Sequence, residues 1–333
     1  MALITACVSS VKTQEITDKV NDSAQTTVSK TTNIASESSG TIAVNEITQN
    51  PDATKINKDD VVTTVLEEFL PSLEIIEAEF ETLKTGEPNP VKIFSFIDKN
   101  IKFADTEFAD EMIDFVLQFS ENEIYSLQDK YADAEIQQKL WADFNGTTDL
   151  QILKNAYDKT IAELAKETID RRYKLERIEG FISPIIDYES CRSYGEFLSE
   201  QMNSFIEIMA FETESPSVLD GGVVISLDDF AGRIIKLYEF EEKYPGFIRI
   251  YYIVNMLNGK LWVYMGGIDN TPVFNFNNDS IIQARLDDFR EKAEKYKGTR
   301  FGDKINEYLD LLKSQNYKRT QKIADYIDNL TFY

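Results

Sequence analysis

The sequence predicts an all-α body, either stacked helical hairpins or an irregular helical bundle, behind a disordered N-terminal tether. Three observations predict it. Glycine and proline are scarce, at 14 and 8 of 333 residues, while Glu, Lys and Leu are plentiful. Apolar residues recur three or four apart over long stretches. Helix-start patterns, a Ser followed three residues on by an acid, recur along the chain.

The elements follow in order. Val61–Leu83 reads as helical, with a break at Pro71. Pro90 opens a helix whose apolar face is Val91, Ile93, Phe94, Phe96, Ile97 and Ile101. Phe108–Phe119 is the next helix. Ser120-Glu121-Asn122-Glu123 reads as a capping box that starts another, over Ile124–Phe144. The longest predicted helix runs from about Asp149 to Ile182, on a stripe of Leu150, Leu153, Tyr157, Ile161, Leu164, Ile169, Tyr173, Ile178 and Phe181. Ser193-Tyr194-Gly195-Glu196 caps a helix over Phe197–Phe211. Ser215-Pro216 and Gly221-Gly222 mark a loop, and a sub-boundary is expected near 213–224. Ser226-Leu227-Asp228-Asp229 opens a helix to about Lys243, and Pro245-Gly246 ends it. Phe247–Tyr264 has strand-like composition, but its length favours a buried helix. After a loop over Asn270–Asn278, helices are expected to about Tyr296, over Asp303–Lys313 and over Arg319–Leu330.

Composition changes sharply along the chain. The first aromatic is Phe69, so all 21 Phe, 16 Tyr and 2 Trp lie beyond it. Residues 8–57 hold 16 Ser or Thr and no aromatic, too little apolar surface to offset the entropy of ordering. Three regions follow: residues 1–7, a tether over 8–57, and a body over 58–333. The formal charge is −23, almost all of it on the body.

These counts exclude much. Without histidine the chain has no Ser-His or Cys-His nucleophile and no His-ligated zinc. Two cysteines make neither a disulfide framework nor a four-cysteine metal site. The acidity argues against nucleic acid, whose binding needs Lys and Arg to neutralise phosphates. No apolar run is long enough to span a bilayer. No phosphate-binding glycine loop or HExxH occurs, and no cofactor is expected.

The chain begins Met1-Ala2-Leu3-Ile4-Thr5-Ala6-Cys7. Ile4-Thr5-Ala6-Cys7 resembles the lipobox of bacterial envelope lipoproteins of the Gram-positive type, four positions followed at once by a polar tether. The resemblance implies a signal peptide cut before Cys7, with diacylglycerol on its sulfur. Ala2–Ile4 is too short for the apolar part of a signal peptide, so Met1 is expected to lie inside a longer one. Two acyl chains would anchor the protein stably. A 50-residue tether spans about 40 Å if it behaves as a Gly/Ser linker. The body would then sit just off the extracytoplasmic face of the membrane, with another envelope protein or a wall polymer as partner. Were the box accidental, the protein would be cytoplasmic.

In the body, Lys243-Tyr244-Pro245-Gly246 and Lys295-Tyr296-Lys297-Gly298 each follow one amphipathic helix and precede another. The pattern resembles the turn between paired helices in tetratricopeptide-like helical-hairpin proteins. Aromatics crowd Tyr238–Phe276, and a ligand groove is expected at Tyr244, Tyr251, Tyr252, Trp262 and Tyr264. Asp269, Asn275, Asn277 and Asp279 are weak candidates for a cation loop, and turn chemistry explains them equally well. Cys191, with no base, reads as a small packed residue. The basic run Lys166, Arg171, Arg172, Lys174 and Arg177 reads as ion pairing along a helix. Glu67/Glu68, Asp228/Asp229 and Asp287/Asp288 read as solvated or dipole-matching acids. The expected role is a binding or scaffold module. The alternatives are a solute receptor, which would favour a two-lobed α/β plan, and a carboxylate-based hydrolase of wall glycan, which needs two acids about 5–10 Å apart with one pKa raised.

Overall fold

The computed structural model describes residues 72–331. Cys7, the tether, Glu67/Glu68 and the helix expected before Pro71 lie outside the described residues.

The fold is all-α, with three two-stranded antiparallel hairpins among the described residues, inserted between helices. Helix α1 (Leu73–Thr85) buries Ile76 and Phe80. In α2 (Pro90–Asn100), Pro90 occupies the first turn, where its missing N–H costs nothing, and Asn89 Oδ1 accepts from the Lys92 N–H. Helix α3 (Thr106–Tyr131) is capped by Asp105 and runs unbroken through Ser120. The predicted second start there is overturned, because Ser120 sits mid-helix with its neighbours packed on both sides.

The predicted Asp149–Ile182 helix is also replaced. After α4 (Ala134–Phe144), Asn145 and Gly146 take positive φ and end it. Two short helices follow, α5 (Leu150–Leu153) and α6 (Lys159–Asp170), each started by an Asp whose carboxylate accepts two backbone N–H groups. Then β1 (Tyr173–Ile178) and β2 (Phe181–Ile186) form an antiparallel pair. Glu179 and Gly180 both have positive φ (50° and 81°), the geometry of a type I′ turn. The residues of the predicted helical stripe therefore divide among two short helices, the link between them at Tyr157, and two strands. Tyr173 and Leu175 are buried on β1, while Lys174 and Glu176 are less so, the period-2 signature.

Helix α7 (Tyr188–Cys191) and a 3₁₀ turn lead to α8 (Glu200–Glu214), capped by Ser199 rather than the predicted Ser193. A second tight hairpin, β3 (Val218–Leu219) with β4 (Gly222–Val223), turns at Asp220-Gly221. Ser226 caps α9 (Leu227–Lys243) as expected: it accepts from the Asp229 N–H at 3.0 Å and donates to the Asp229 carboxylate at 2.7 Å. The strand-like run is the helix α10 (Ile250–Gly266). A third hairpin, β5 (Gly267–Ile268) with β6 (Thr271–Pro272), precedes α11 (Gln283–Lys295), α12 (Arg300–Ser314) and α13 (Gln321–Asp328). The two Lys-Tyr turns lie at the two helical hairpins, where α9 packs on α10 and α11 on α12.

Among the described residues, two apolar cores form. The larger takes α1, α2, the first half of α3, and α7–α13. Residues on both sides of 213–224 belong to it. The smaller takes the second half of α3, α4–α6, β1 and β2. Gln137 ties β2 to α4, donating to Ile182 O at 2.8 Å and accepting from the Ile182 N–H at 3.0 Å. The long α3 is common to both cores, and a polar cluster sits where it passes from one to the other.

Candidate functional site

Asp114 and Glu121 lie two turns apart on α3, so their side chains leave the same face. Facing them is Arg249, which immediately precedes α10. Pro245 and Gly246 turn the chain after α9, Phe247 enters the core, and Arg249 is carried in behind it, only 3% exposed. Tyr252 follows one helical turn later, and Tyr188 reaches in from the start of α7.

Glu121 is the hub. Its Oε2 accepts from Arg249 Nη2 at 2.6 Å and from the Tyr252 hydroxyl at 2.5 Å, and its Oε1 accepts from the Tyr188 hydroxyl at 3.1 Å. Asp114 Oδ1 lies 3.4 Å from Arg249 Nε. The guanidinium stacks over the Tyr252 ring at 4.5 Å and lies 5.4 Å from the Phe205 ring. Arg249 Nε and Nη1 are both buried with no hydrogen-bond acceptor. Such an orphan donor costs about 1–3 kcal/mol.

Charge and burial shape the titrations. Burial pushes the Asp114 carboxyl up, against the pull of Arg249 and with help from Glu111. Burial, then the Glu121 hydrogen bond and charge, push the Tyr252 hydroxyl up to about 12. The Tyr188 hydroxyl is raised well above its ordinary value, chiefly by burial and then by Glu121. Both tyrosines are therefore neutral hydrogen-bond donors at neutral pH. The Asp114 and Glu121 side chains remain 19% and 17% exposed, so the cluster opens to solvent.

The expected aromatic groove is not assembled. Tyr252 joins the cluster above. Tyr251 is 64% exposed beside it, its ring edge-on to Tyr252 at 6.5 Å. Tyr244 is half-buried against Phe240. Trp262 is near the other end of α10, its Nε1 3.5 Å from Asp328 Oδ1. Tyr264 is buried in the larger core, stacked on Phe230, with its hydroxyl donating to Asp288 at 2.6 Å. Aromatics at these spacings point around a helix rather than to one side of it.

The cation candidates also separate. Asp269 is in the β5–β6 turn. Asn275, Asn277 and Asp279 are in another loop, where Asn275 N–H donates to Ser280 O and Asp279 O accepts from the Arg319 N–H. Among the described residues, no group of three or more Cys, Asp or Glu is placed to hold a metal ion. Cys191 is buried, and burial pushes its thiol up to about 12, far from a reactive thiolate. Of the basic run, only Arg171 pairs along the helix as expected, with Glu167 at 2.8 Å; Arg172 pairs with Asp98 of α2, and Lys174 and Arg177 lie on β1, where Arg177 Nε donates to Gly146 O at 2.7 Å. Asp228 pairs with Lys292 and Lys295, and Asp288 with Lys292.

Sequence reasoning missed Asp114, Glu121 and Arg249. Reading Ser120-Glu121 as a capping box assigned Glu121 a local job. The one available signal was Arg249 itself, a lone cation inside Phe247-Ile248-Arg249-Ile250, which demands buried carboxylates. No family model, no curated protein and no solved structure matches the chain.

Proposed function

We propose that this protein is a lipid-anchored extracytoplasmic binding module of the cell envelope, held to the membrane through Cys7. The observation that carries the reading is Ile4-Thr5-Ala6-Cys7 followed directly by the Ser/Thr-rich stretch over 8–57. The all-α body fits a binding role better than a solute receptor, whose two-lobed α/β plan differs from this helical architecture. The partly exposed Asp114 and Glu121 carboxylates, near the exposed Tyr251 ring, support a binding surface at this end of α10. Metabolic labelling with a fatty-acid analogue tests the anchor. Label and membrane association should both be lost in Cys7→Ser, while the body stays folded. Label retained in that variant would refute the anchor.

One observation favours a second reading. Asp114 and Glu121 both touch one guanidinium, so they are within the ~9.5 Å that glycoside hydrolases allow between paired carboxyl groups, and one of them is raised. Against it, Glu121 has both oxygens engaged and Arg249 sits against both acids. Such an arrangement ties α3 to α7 and α10 more readily than it cleaves a bond. Release of reducing ends from wall glycan, abolished by Glu121→Gln, would establish hydrolysis.

A further inference from the structure

We propose that Asn145-Gly146 is a deamidation site that the native fold holds shut and that opening of the smaller core exposes. Asn is followed by Gly at two places in the chain, Asn145-Gly146 and Asn258-Gly259. A glycine has no side chain to shield its backbone nitrogen, which can therefore attack the Asn side-chain carbonyl carbon. The new N–Cγ bond closes a five-membered imide. The bond from Cγ to the side-chain nitrogen breaks, and ammonia leaves with the proton of the attacking nitrogen. Water then opens the imide at one carbonyl or the other, leaving aspartate or isoaspartate. No oxidant, enzyme or cofactor is required.

The native turn blocks the first step. Asn145 is exposed and ends α4 in the left-handed region, at φ 52° and ψ 35°. At that ψ the Gly146 nitrogen stands nearly opposite Cβ across the Cα–C bond, whereas ring closure needs the two eclipsed. The Gly146 N–H is also engaged, donating to Leu140 O at 2.9 Å. From β1, Arg177 holds both carbonyls of the pair: Nε donates to Gly146 O at 2.7 Å and Nη2 to Asn145 O at 3.3 Å. Rotating ψ of Asn145 therefore undoes the end of α4 and parts it from β1. Both elements belong to the smaller core, so the reaction waits on its opening.

Reclosing does not reverse the change. Gly146 lies so near the Trp141 ring that a Cβ there would stand 2.5 Å from Cζ3. Isoaspartate inserts a methylene into the backbone at this crowded turn, so the product cannot restore the Leu140 and Arg177 bonds together. Asn258 provides the contrast. It sits inside α10, which packs in the larger core, so its backbone is freed only when that core opens.

The test incubates the full chain at mildly alkaline pH, folded and in urea, and follows each Asn by peptide mass spectrometry. Dividing the folded rate by the rate at the same Asn in urea removes intrinsic differences between the two sites. The ratio at Asn145 should fall about tenfold or more below unity, and the ratio at Asn258 about tenfold lower again. Arg177→Ala, which releases both carbonyls, should raise the folded rate at Asn145 about tenfold and leave Asn258 as it was. Arg177→Lys, a milder change that keeps a charged donor, should fall between parent and Arg177→Ala. The proposal is overturned if Asn145 reacts as fast in the folded chain as in urea. It is equally overturned if the two ratios are equal, or if neither Arg177 variant changes the rate at Asn145.

Discussion

Glu212 holds two buried cations with a single oxygen. Its Oε2 lies 2.7 Å from Lys260 Nζ and 3.2 Å from Arg233 Nη1, and Lys260 also donates to the Ser217 hydroxyl at 2.6 Å. Burial lowers the Lys260 pKa despite that partner. Removing the shared anion strands both cations, so Glu212→Gln should cost about 3–5 kcal/mol of stability. Lys260→Met leaves Glu212 paired with Arg233 and should cost clearly less. Urea denaturation of the two variants checks the order, and equal losses would contradict it. The same logic governs Arg249, and explains why these clusters are hard to read in advance. A buried charge is visible in the sequence only as a break in an apolar run. Its partners come from distant elements, here Asp114 and Glu121 of α3, more than a hundred residues away.

At the scale of elements, two helical glycines should respond oppositely to the same substitution. Gly232, inside α9, has open space where a Cβ would stand, so Gly232→Ala should add about 0.5–1 kcal/mol. Gly302, in the first turn of α12, would place a Cβ 2.0 Å from the Tyr296 carbonyl oxygen. That closeness is how the α11–α12 turn folds back, so Gly302→Ala should lose about 1–3 kcal/mol. Thermal melts of both variants test the contrast, and stabilisation by Gly302→Ala would show the turn to be looser than described. Two elements with a local start signal were legible, although the same signal misled at Ser120 and Ser193. Pro90 after Asn89, and Ser226 before Asp229, carry their own hydrogen-bonding logic. The run Ile248–Val254 was legible through its length. The β1–β2 hairpin was not, because Glu179-Gly180 is an uncommon pair for a type I′ turn. Ile169, Tyr173 and Phe181 are also spaced in a way that suits a helix. Only the tertiary fit, through Gln137 and the smaller core, selects the strands.

At the scale of the molecule, the two cores are unequal among the described residues: twelve buried apolar residues against forty-seven. Stability follows buried contacts, so the smaller core should open first. Amide exchange should be faster in β1, β2 and α4–α6 than in α9–α12, and uniform protection would contradict a separable second core. The acidic body bears on function too. With −23 on the chain, the protein would stand off an anionic membrane surface, and an anchor at Cys7 would supply the attachment that charge opposes. Membrane attachment therefore turns on the chemistry of Cys7, which mass spectrometry of the N-terminal peptide from the native protein reads directly. A lipid anchor predicts a peptide that begins at Cys7 and carries diacylglycerol on its sulfur. A peptide that reads through Ala6 into a free Cys7 thiol would contradict it.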